Sequence, residues 1–174
     1  MTALGLYAAT VSAWSQQLGA VSHLIDKAEA WCTETGTAPA DVIEARLIAD
    51  MLPFGYQVKS CIGHSVDALA GVRSGVFTPD RSGWPDDFAG LKAKIAGAIE
   101  PLQAVDAAEV DGFVGRDMAF VMGDMRMDFT AQDFLLSFSM PNFYFHAATA
   151  YGLLRTRGVT LGKRDYLGRP RLKN

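Results

Sequence analysis

Apolar residues recur at steps of three and four near the start of the chain and predict a helix of about 30 residues. The positions on its predicted buried face are Leu4, Tyr7, Val11, Trp14, Leu18, Val21, Ile25, Ala28 and Cys32. Gly36 is expected to end this helix, because glycine readily adopts the left-handed conformation found after a helix C-terminus. A shorter helix is expected from Asp41 to Met51, leading into Pro53.

Two further helical stripes follow that proline. The second helix is marked by Phe54, Val58, Ile62, Ser65, Leu69 and Val72, and the third by Phe88, Leu91, Ile95, Ile99, Leu102 and Val105. The second is expected to close near Gly75, followed by a loop over residues 74–84 that is rich in Gly, Ser and Pro. Pro85 is expected in the first turn of the third helix, where Asp86 and Asp87 would complement the helix dipole.

The apolar period then changes from helical to alternating. Met118, Phe120 and Met122 share one side of a strand, and Met125, Met127 and Phe129 share one side of the next. Gly123-Asp124 between them suits a two-residue type II′ turn, so the pattern predicts a small β-hairpin.

The last predicted helical region begins at Thr130, which forms a capping-box pattern with Asp133. A short helix is expected there, interrupted by Pro141, and a fourth long helix should run to about Arg157 and end at Gly158. Four long amphipathic helices and one hairpin predict an all-α fold, a four-helix bundle formed as one domain over residues 1–174.

Composition narrows the class of protein. Apolar residues make up 49% of the 174 residues and charged residues 20%, which is typical of a globular domain. No window approaches 18 uninterrupted apolar residues, and the N-terminus lacks the pattern of a signal peptide, so neither a membrane span nor export is expected. Cys32 and Cys61 form no CxxC motif and are expected to be reduced thiols of a cytoplasmic protein.

Charge is concentrated at the C-terminus. From Arg155 onward there are seven basic residues against one acid, Asp165, although the whole chain has a net charge of −3. A basic tail can contact nucleic acid, but pairing with the acidic remainder of the chain, or simple solvation, is the preferred interpretation. No nucleic-acid partner is therefore expected.

The same tail carries apolar residues. Leu161, Tyr166 and Leu167 are too apolar for a free segment. We expect the segment to fold back and to anchor Tyr166 and Leu167 on the bundle or on a second subunit. Lys163 and Arg164 would then pair with carboxylates, and Asp165 would accept hydrogen bonds from backbone or arginine groups.

Helical phase separates the three histidines. His23 falls opposite the first stripe, His64 lies about 120° from the centre of the second, and His146 lies within about 40° of the centre of the fourth. Only His146 is therefore expected to point into the bundle. The positions four residues away from it are Asn142 and Ala150, which are not zinc ligands, so no three-histidine metal site is predicted.

A polar set surrounds His146 in this arrangement. With His146 itself, the candidate pocket residues are Asp50 and Gln57 near the start of the second helix, His64 on the flank of that helix, and Asn142, Tyr151 and Arg155 on the fourth. Buried polar groups need partners, so the set indicates either a structural network or a ligand pocket.

Motifs for catalysis are sparse. Cys61 and His64 are three residues apart on one helix, which allows either a thiolate activated by imidazole or an inert buried thiol. The GKRD segment at 162–165 lacks the pattern of a phosphate-binding loop, and no nucleophile elbow occurs.

Three stretches carry a family resemblance. They are RLIADMLPFGYQVKSC at 46–61, PNFYFHAATAYGLLRTRGVTLGKRDYLG at 141–168, and LIDKAEAW at 24–31. With them the chain resembles the DinB/YfiT-like superfamily of four-helix bundles, and more narrowly a bacterial subfamily of unknown function. The resemblance implies the bundle fold over nearly the whole chain.

The resemblance also implies a possible metal. Better-known members of the superfamily hold a divalent metal on three histidines, one from the second helix and an HxxxH pair from the fourth, and some are thiol-dependent transferases or isomerases. By that resemblance His64 would be the ligand from the second helix and His146 one member of the pair. The other member is missing, because Asn142 and Ala150 occupy its places.

Three functions follow as hypotheses. The first is a cytoplasmic homodimer that binds a small molecule near His146, with no cofactor. The second is a metal-dependent thiol transferase or isomerase with zinc or nickel at His64 and His146, completed by a carboxylate such as Asp50 or by water. The third is a non-catalytic dimeric scaffold or binding protein. Whether the protein catalyses a reaction stays open at this level.

Overall fold

The computed structural model describes residues 4–173. The helices are α1 (Leu6–Ala9), α2 (Val11–Thr35), α3 (Pro39–Ile43), α4 (Phe54–Ile62), α5 (Ala68–Ser74), α6 (Phe88–Ala104), α7 (Ala107–Asp111), α8 (Ala131–Asp133), α9 (Met140–Thr156) and α10 (Lys163–Leu167). The strands are β1 (Val76–Phe77), β2 (Asp117–Met122) and β3 (Met125–Thr130). Two π-helical turns, Gly63–Asp67 and Phe134–Ser139, join α4 to α5 and α8 to α9.

The long helical segments form the predicted four-helix bundle. Helix α2 packs mainly against α6, and α4 packs against α9. Their inward faces share one contiguous core, in which the largest fully buried side chains include Trp14, Phe54, Phe134 and Phe143. None of the helices in residues 4–173 combines the length and the hydropathy needed to cross a lipid bilayer.

The first stripe forms the buried face of α2. Gly36 ends this helix with φ of 69°, as predicted. The N-terminal end differs, because Thr10 separates α1 from α2 and Leu4 lies before the first turn, 79% exposed. The prediction that Leu4 belongs to the buried face is therefore wrong.

Two predicted helix boundaries are also wrong. Helix α3 ends at Ile43 rather than continuing to Met51, and the Arg46 guanidinium instead closes a turn by donating to the Met51 carbonyl at 2.6 Å. Pro85 lies outside α6, whose N-cap is Asp87; its carboxylate accepts a hydrogen bond from the Gly90 N–H at 2.6 Å. A capping carboxylate satisfies a free N–H group, so the helix begins after it.

The predicted hairpin is present as β2 and β3. Gly123 has φ of 59°, whereas none of the described non-glycine residues, Asp124 included, has a positive φ. That combination is typical of a type II′ turn. Met122 and Met125, however, are 42% and 49% exposed, since the hairpin tip extends beyond the core.

A third strand was not predicted. Strand β1 pairs in parallel with β2, with Val76 opposite Ala119 and Phe77 opposite Phe120. It lies within the expected loop and buries Phe77 against the bundle. Two residues are too few for an alternating pattern to be recognised.

Pro141 does not interrupt the helical segment that leads from α8 into α9, contrary to the prediction. It lies in the first turn of α9, directly after the second π-helical turn, where a missing N–H is tolerated. The Asn142 side chain donates to the Phe138 carbonyl of the preceding π-helical turn at 2.8 Å. Helix α9 ends at Thr156, and Gly158 follows two residues later with φ of 95°, close to the expected end.

The C-terminal segment folds back onto the bundle of its own chain. Side chains of α2 hold it, because Gln16 donates to the Leu167 carbonyl at 2.9 Å and Gln17 donates to the Tyr166 carbonyl at 2.7 Å. The Tyr166 ring also contacts Tyr151 on α9 with 5.9 Å between ring centroids. Of the two expected arrangements, the structure shows the one within a single chain.

The charged residues of this segment behave unequally. Asp165 accepts hydrogen bonds from the Gly162 N–H at 2.7 Å and from His23 Nε2 at 2.8 Å, not from an arginine. Within residues 4–173 no carboxylate lies within 4.0 Å of Lys163 or Arg164, so the expected ion pairs are not formed. Both side chains remain exposed.

Candidate functional site

Two histidine rings stack inside one end of the bundle. The imidazoles of His64 and His146 have centroids 5.7 Å apart and planes inclined by 12°. The regular period predicted that His64 would lie at the flank of its helix. The π-helical turn that contains it changes the helical phase, and His64 itself has the non-helical values φ −88° and ψ 16°. A π turn of this kind is frequent at functional sites.

The two π-helical turns are joined to each other. The Ser139 hydroxyl, at the end of the second turn, donates to the His64 carbonyl in the first at 3.0 Å. The Ser65 hydroxyl donates to the Cys61 carbonyl at 2.6 Å. Both hydroxyls thus satisfy carbonyl groups where regular helical pairing is disturbed, and they hold the backbone beneath His64 in place.

His146 is oriented by a buried glutamine. Its Nδ1 lies 2.7 Å from Gln57 Oε1, and the Gln57 amide nitrogen donates to the Leu52 carbonyl at 2.7 Å. Because the Gln57 oxygen can only accept, His146 Nδ1 must carry the proton. The neutral His146 ring therefore keeps a lone pair at Nε2.

Both imidazoles are neutral at pH 7. Burial lowers the pKa of His64 to about 4. Burial, and then the nearby His64 ring, lowers the pKa of His146 to about 4. Within the described residues neither Nε2 atom has a hydrogen-bond partner, and the buried Nδ1 of His64 has none either. The buried Nδ1 of His64 is therefore an unsatisfied nitrogen atom, which is costly unless a ligand or water completes it.

A cleft opens beside this pair. Its smaller hollow, about 50 Å³, is bordered by His64, Tyr56, Gly63 and Phe77, and its larger hollow, about 230 Å³, by Val58, Ile62, Trp84, Leu91 and Lys94. Lys59, Asp67 and Asp80 border both hollows, so the two adjoin. His146 lies behind, in contact with Tyr56 at 5.8 Å between ring centroids. The cleft joins an aromatic and aliphatic wall to a few polar groups, which is typical of a small-ligand site.

Residues 78–87, here called the strap, form the outer wall of the cleft. Lys59 holds them by donating to the carbonyl groups of Asp80, at 3.0 Å, and Ser82. Hydrogen bonds from Ser82, and to a lesser extent the Lys59 ammonium, lower the pKa of Asp80 to about 2. Partial desolvation and the nearby Asp80 charge raise the pKa of Asp67, which faces the same cleft.

Trp84 is the second anchor of the strap. Its indole N–H donates to Glu44 at 2.8 Å, and its ring meets Tyr56 edge-on with 6.0 Å between centroids. The ring lies directly on Gly55, where an added Cβ would be 2.2 Å from the indole Cδ1. Glycine is required at position 55 because any side chain would displace the tryptophan.

The structure brings together three of the seven residues proposed for the pocket, namely His146, Gln57 and His64. The other four lie apart. Asp50 is on an exposed loop, Asn142 bonds within its own helix, Tyr151 packs against the C-terminal segment, and Arg155 donates to the Leu161 carbonyl at 2.5 Å.

The donor atoms near the pair do not fit the metal that the family resemblance implies. Within residues 4–173 no three His, Cys, Asp or Glu side chains are grouped to hold an ion. His23 pairs with Asp165 on the bundle exterior and is not available to the pair. Burial raises the pKa of the Cys61 thiol, so this group is a protonated core residue and not a thiolate. Two parallel imidazoles alone do not supply three zinc or nickel ligands.

A family model described as a domain of unknown function, DUF1993, matches residues 6–167. The chain belongs to the DUF1993 family. Among solved structures, a DinB family member protein from Shewanella denitrificans is 27% identical to this DUF1993 chain, covers 97% of it and 95% of its own length, and superposes with a TM-score of 0.81. The resemblance to the DinB superfamily is thereby confirmed. No curated protein sequence matches the chain.

Sequence reasoning missed most of the cleft wall in this DUF1993 chain. Tyr56, Lys59, Asp67 and Trp84 were not among the candidates, although Tyr56, Lys59 and Gly63 recur at helical spacing on one side of the second helix. That spacing indicates a polar and aromatic face on the helix. The position of Trp84 could not be predicted in this way, because the strap has no regular period.

Proposed function

We propose that this DUF1993 protein binds a small molecule in the cleft between the His64 ring and the strap. The observation that carries the proposal is the neutral His64 ring, which stacks on His146, has a buried Nδ1 without a partner and borders the cleft. A ligand that donates a hydrogen bond would complete an imidazole nitrogen.

The walls define the rest of the ligand. Tyr56, Trp84 and Leu91 provide aromatic and aliphatic surface, while Lys94 and Asp67 provide one charge of each sign at the rim. A volume of about 230 Å³ is below the range of roughly 300–1,000 Å³ that is usual for drug-sized ligands. The ligand class is therefore a small metabolite with an apolar body and a hydrogen-bond donor. The metal-dependent thiol transferase is not favoured, because within residues 4–173 no third His, Cys, Asp or Glu side chain is grouped with the two histidines to hold an ion.

We also assign the protein to the cytoplasm. Support comes from Cys32 and Cys61, which are both buried free thiols, as expected in a reducing compartment. Fractionation of cells that express the native protein tests this, and recovery in the periplasm or medium would contradict it.

A glycine pair offers a matched test of binding. Gly63 borders the smaller hollow, and an added Cβ there would meet no atom within 4 Å, so Gly63→Leu should fill the hollow without a clash. Gly97→Leu is the control, because Gly97 is also helical, equally open and outside the cleft.

The assay is a thermal-shift screen of a metabolite library. A ligand present at 100 times its Kd stabilises by about 2.7 kcal/mol, or roughly 5–10 °C for a chain of this size. Hits should raise the Tm of the wild type and of Gly97→Leu but not that of Gly63→Leu. Hits that act equally on all three proteins would place binding elsewhere, and a library without hits would refute the proposed ligand class.

A further inference from the structure

The second π-helical turn and α9 form one continuous helical segment whose outer face is unusual for a surface. Its exposed positions between Asp133 and Arg155 lie on one stripe, here called the neutral stripe, which comprises Leu136, Ser137, Pro141, Tyr144, Phe145 and Ala148, with half-buried Gly152 at its end. No Asp, Glu, Lys or Arg occurs between residues 133 and 155. A surface helix normally carries polar and charged residues on its outer side, whereas one without them is normally covered.

A second charge-free run in the same chain can be compared with the neutral stripe. Residues 1–25 form the other long run without charged residues, and the outer face of α2 within that run is covered by the C-terminal segment. Gln16 bonds that segment, and Gly168 lies against Ala20. Nothing in residues 4–173 covers the neutral stripe in the same way, since Phe145 remains 54% exposed and Tyr144 38% exposed.

We propose that a second copy of this chain covers the neutral stripe in a two-fold symmetric dimer. Charge complementarity supports this occupant, because the stripe is bounded by an acid at one end, Asp133, and a base at the other, Arg155. When two identical helices pair antiparallel, each Asp133 comes to lie near Arg155 of the second copy. The midpoint of residues 133 and 155 is Tyr144, so the two-fold axis passes close to Tyr144 and Phe145.

The sizes of the side chains along the stripe fit a two-fold axis at this position. Around it, Pro141 of one copy would lie opposite Ala148 of the other, and the large Tyr144 and Phe145 rings would meet at the centre. The small residues Ala148 and Gly152 allow the second helix to approach closely. The patch on one copy then contacts the identical patch on the other copy, as a two-fold symmetric interface requires. Aromatic residues with few charges are also typical of the core of a protein interface.

Solution mass tests the proposal. The wild type should sediment as a species of twice 18.8 kDa. Phe145→Glu and Ala148→Glu should each raise the dimer dissociation constant by at least about 100-fold, because each would bury an unpaired carboxylate. Val114→Glu is the control, since Val114 is 59% exposed but lies outside the stripe. Circular dichroism of Ala148→Glu, a substitution at an exposed site, checks that dissociation does not reflect unfolding.

Cross-linking tests the position of the axis. Cys32 and Cys61 are buried, so a single new cysteine on the surface reports proximity. Tyr144→Cys should form a disulfide between two copies under mild oxidation, whereas Val114→Cys should not. A monomeric wild type at high protein concentration, or a dimer that survives both glutamate substitutions, would overturn the proposal.

Discussion

Lowering the pH from 8 to 5 should destabilise the protein through the two stacked histidines. The folded-state pKa of each imidazole is about 4, below the ordinary 6.5. Between these values the unfolded chain binds protons that the folded chain excludes, so the free energy of unfolding falls as the pH falls through this window. The destabilised range is therefore pH 6.5 down to 4, and the stability is fully retained above it.

The magnitude follows from the separation of the two pKa values. At pH 5 an unfolded imidazole with a pKa of 6.5 is almost fully protonated, while a folded one with a pKa of about 4 is not. The loss is about 2 kcal/mol for each histidine and about 4 kcal/mol for the pair. This is large against the roughly 5–15 kcal/mol that usually stabilises a folded domain.

Urea denaturation at pH 8, 7, 6 and 5, followed by circular dichroism, measures this loss. A double variant, His64→Leu with His146→Gln, removes both imidazoles and should lose about 4 kcal/mol less between pH 8 and pH 5 than the wild type does. His23→Gln is the control, because His23 lies on the exterior and should leave the contribution of the pair intact.

If the free energy of unfolding fell equally with pH in the wild type and in the double variant, the histidine pair would not be the cause of the loss. An NMR titration of the folded protein gives an independent check, since neither His64 nor His146 should protonate above pH 5. Protonation of either ring near pH 6.5 would show that the pair is not desolvated.

Three further substitutions test the surroundings of the site. Gly55→Ala should destabilise by about 1–3 kcal/mol and alter tryptophan fluorescence, because the new methyl group displaces Trp84. The control Gly97→Ala should change neither the stability nor the fluorescence, and an unchanged Tm of Gly55→Ala would contradict the close packing. Lys59→Met should cost about 1–2 kcal/mol and speed hydrogen exchange in the strap, since its hydrogen bonds to the strap are lost; unaltered exchange would show that other contacts hold the strap. Tyr166→Ala should cost about 1–2 kcal/mol in thermal denaturation through the lost ring contact, and an unshifted Tm would mean that the C-terminal segment is held by its backbone bonds alone.

Local patterns predicted the features that local physics determines. The stripe from Val11 to Cys32 formed the buried face of α2, and Gly36 ended the helix in the left-handed conformation that glycine favours. The same reasoning placed His146 on the inward side of its helix. Each of these outcomes depends on neighbours within about one or two turns, so the sequence alone contains the information.

The parts of the site that were missed depend on contacts between distant segments. His64 was expected at the flank, because apolar spacing shows the average period of a helix and not the one turn where that period changes. Trp84 reaches the cleft only because Gly55, 29 residues earlier, leaves room for its ring. Asp50 was expected at the pocket because it precedes the second helix, but it lies on an exposed loop.

The paired π-helical turns make the histidine site depend on the number of residues in two helices as well as on their identity. Deleting one residue from either turn would restore regular pairing and rotate one part of that helix against the other by about 100°. The same two histidines would then no longer stack, although a comparison of residue types alone would show both retained. In this fold a gain or loss of one residue can thus create or abolish the site in a single step. Function in related bundles should accordingly be inferred from helix phase and not only from which histidines are present.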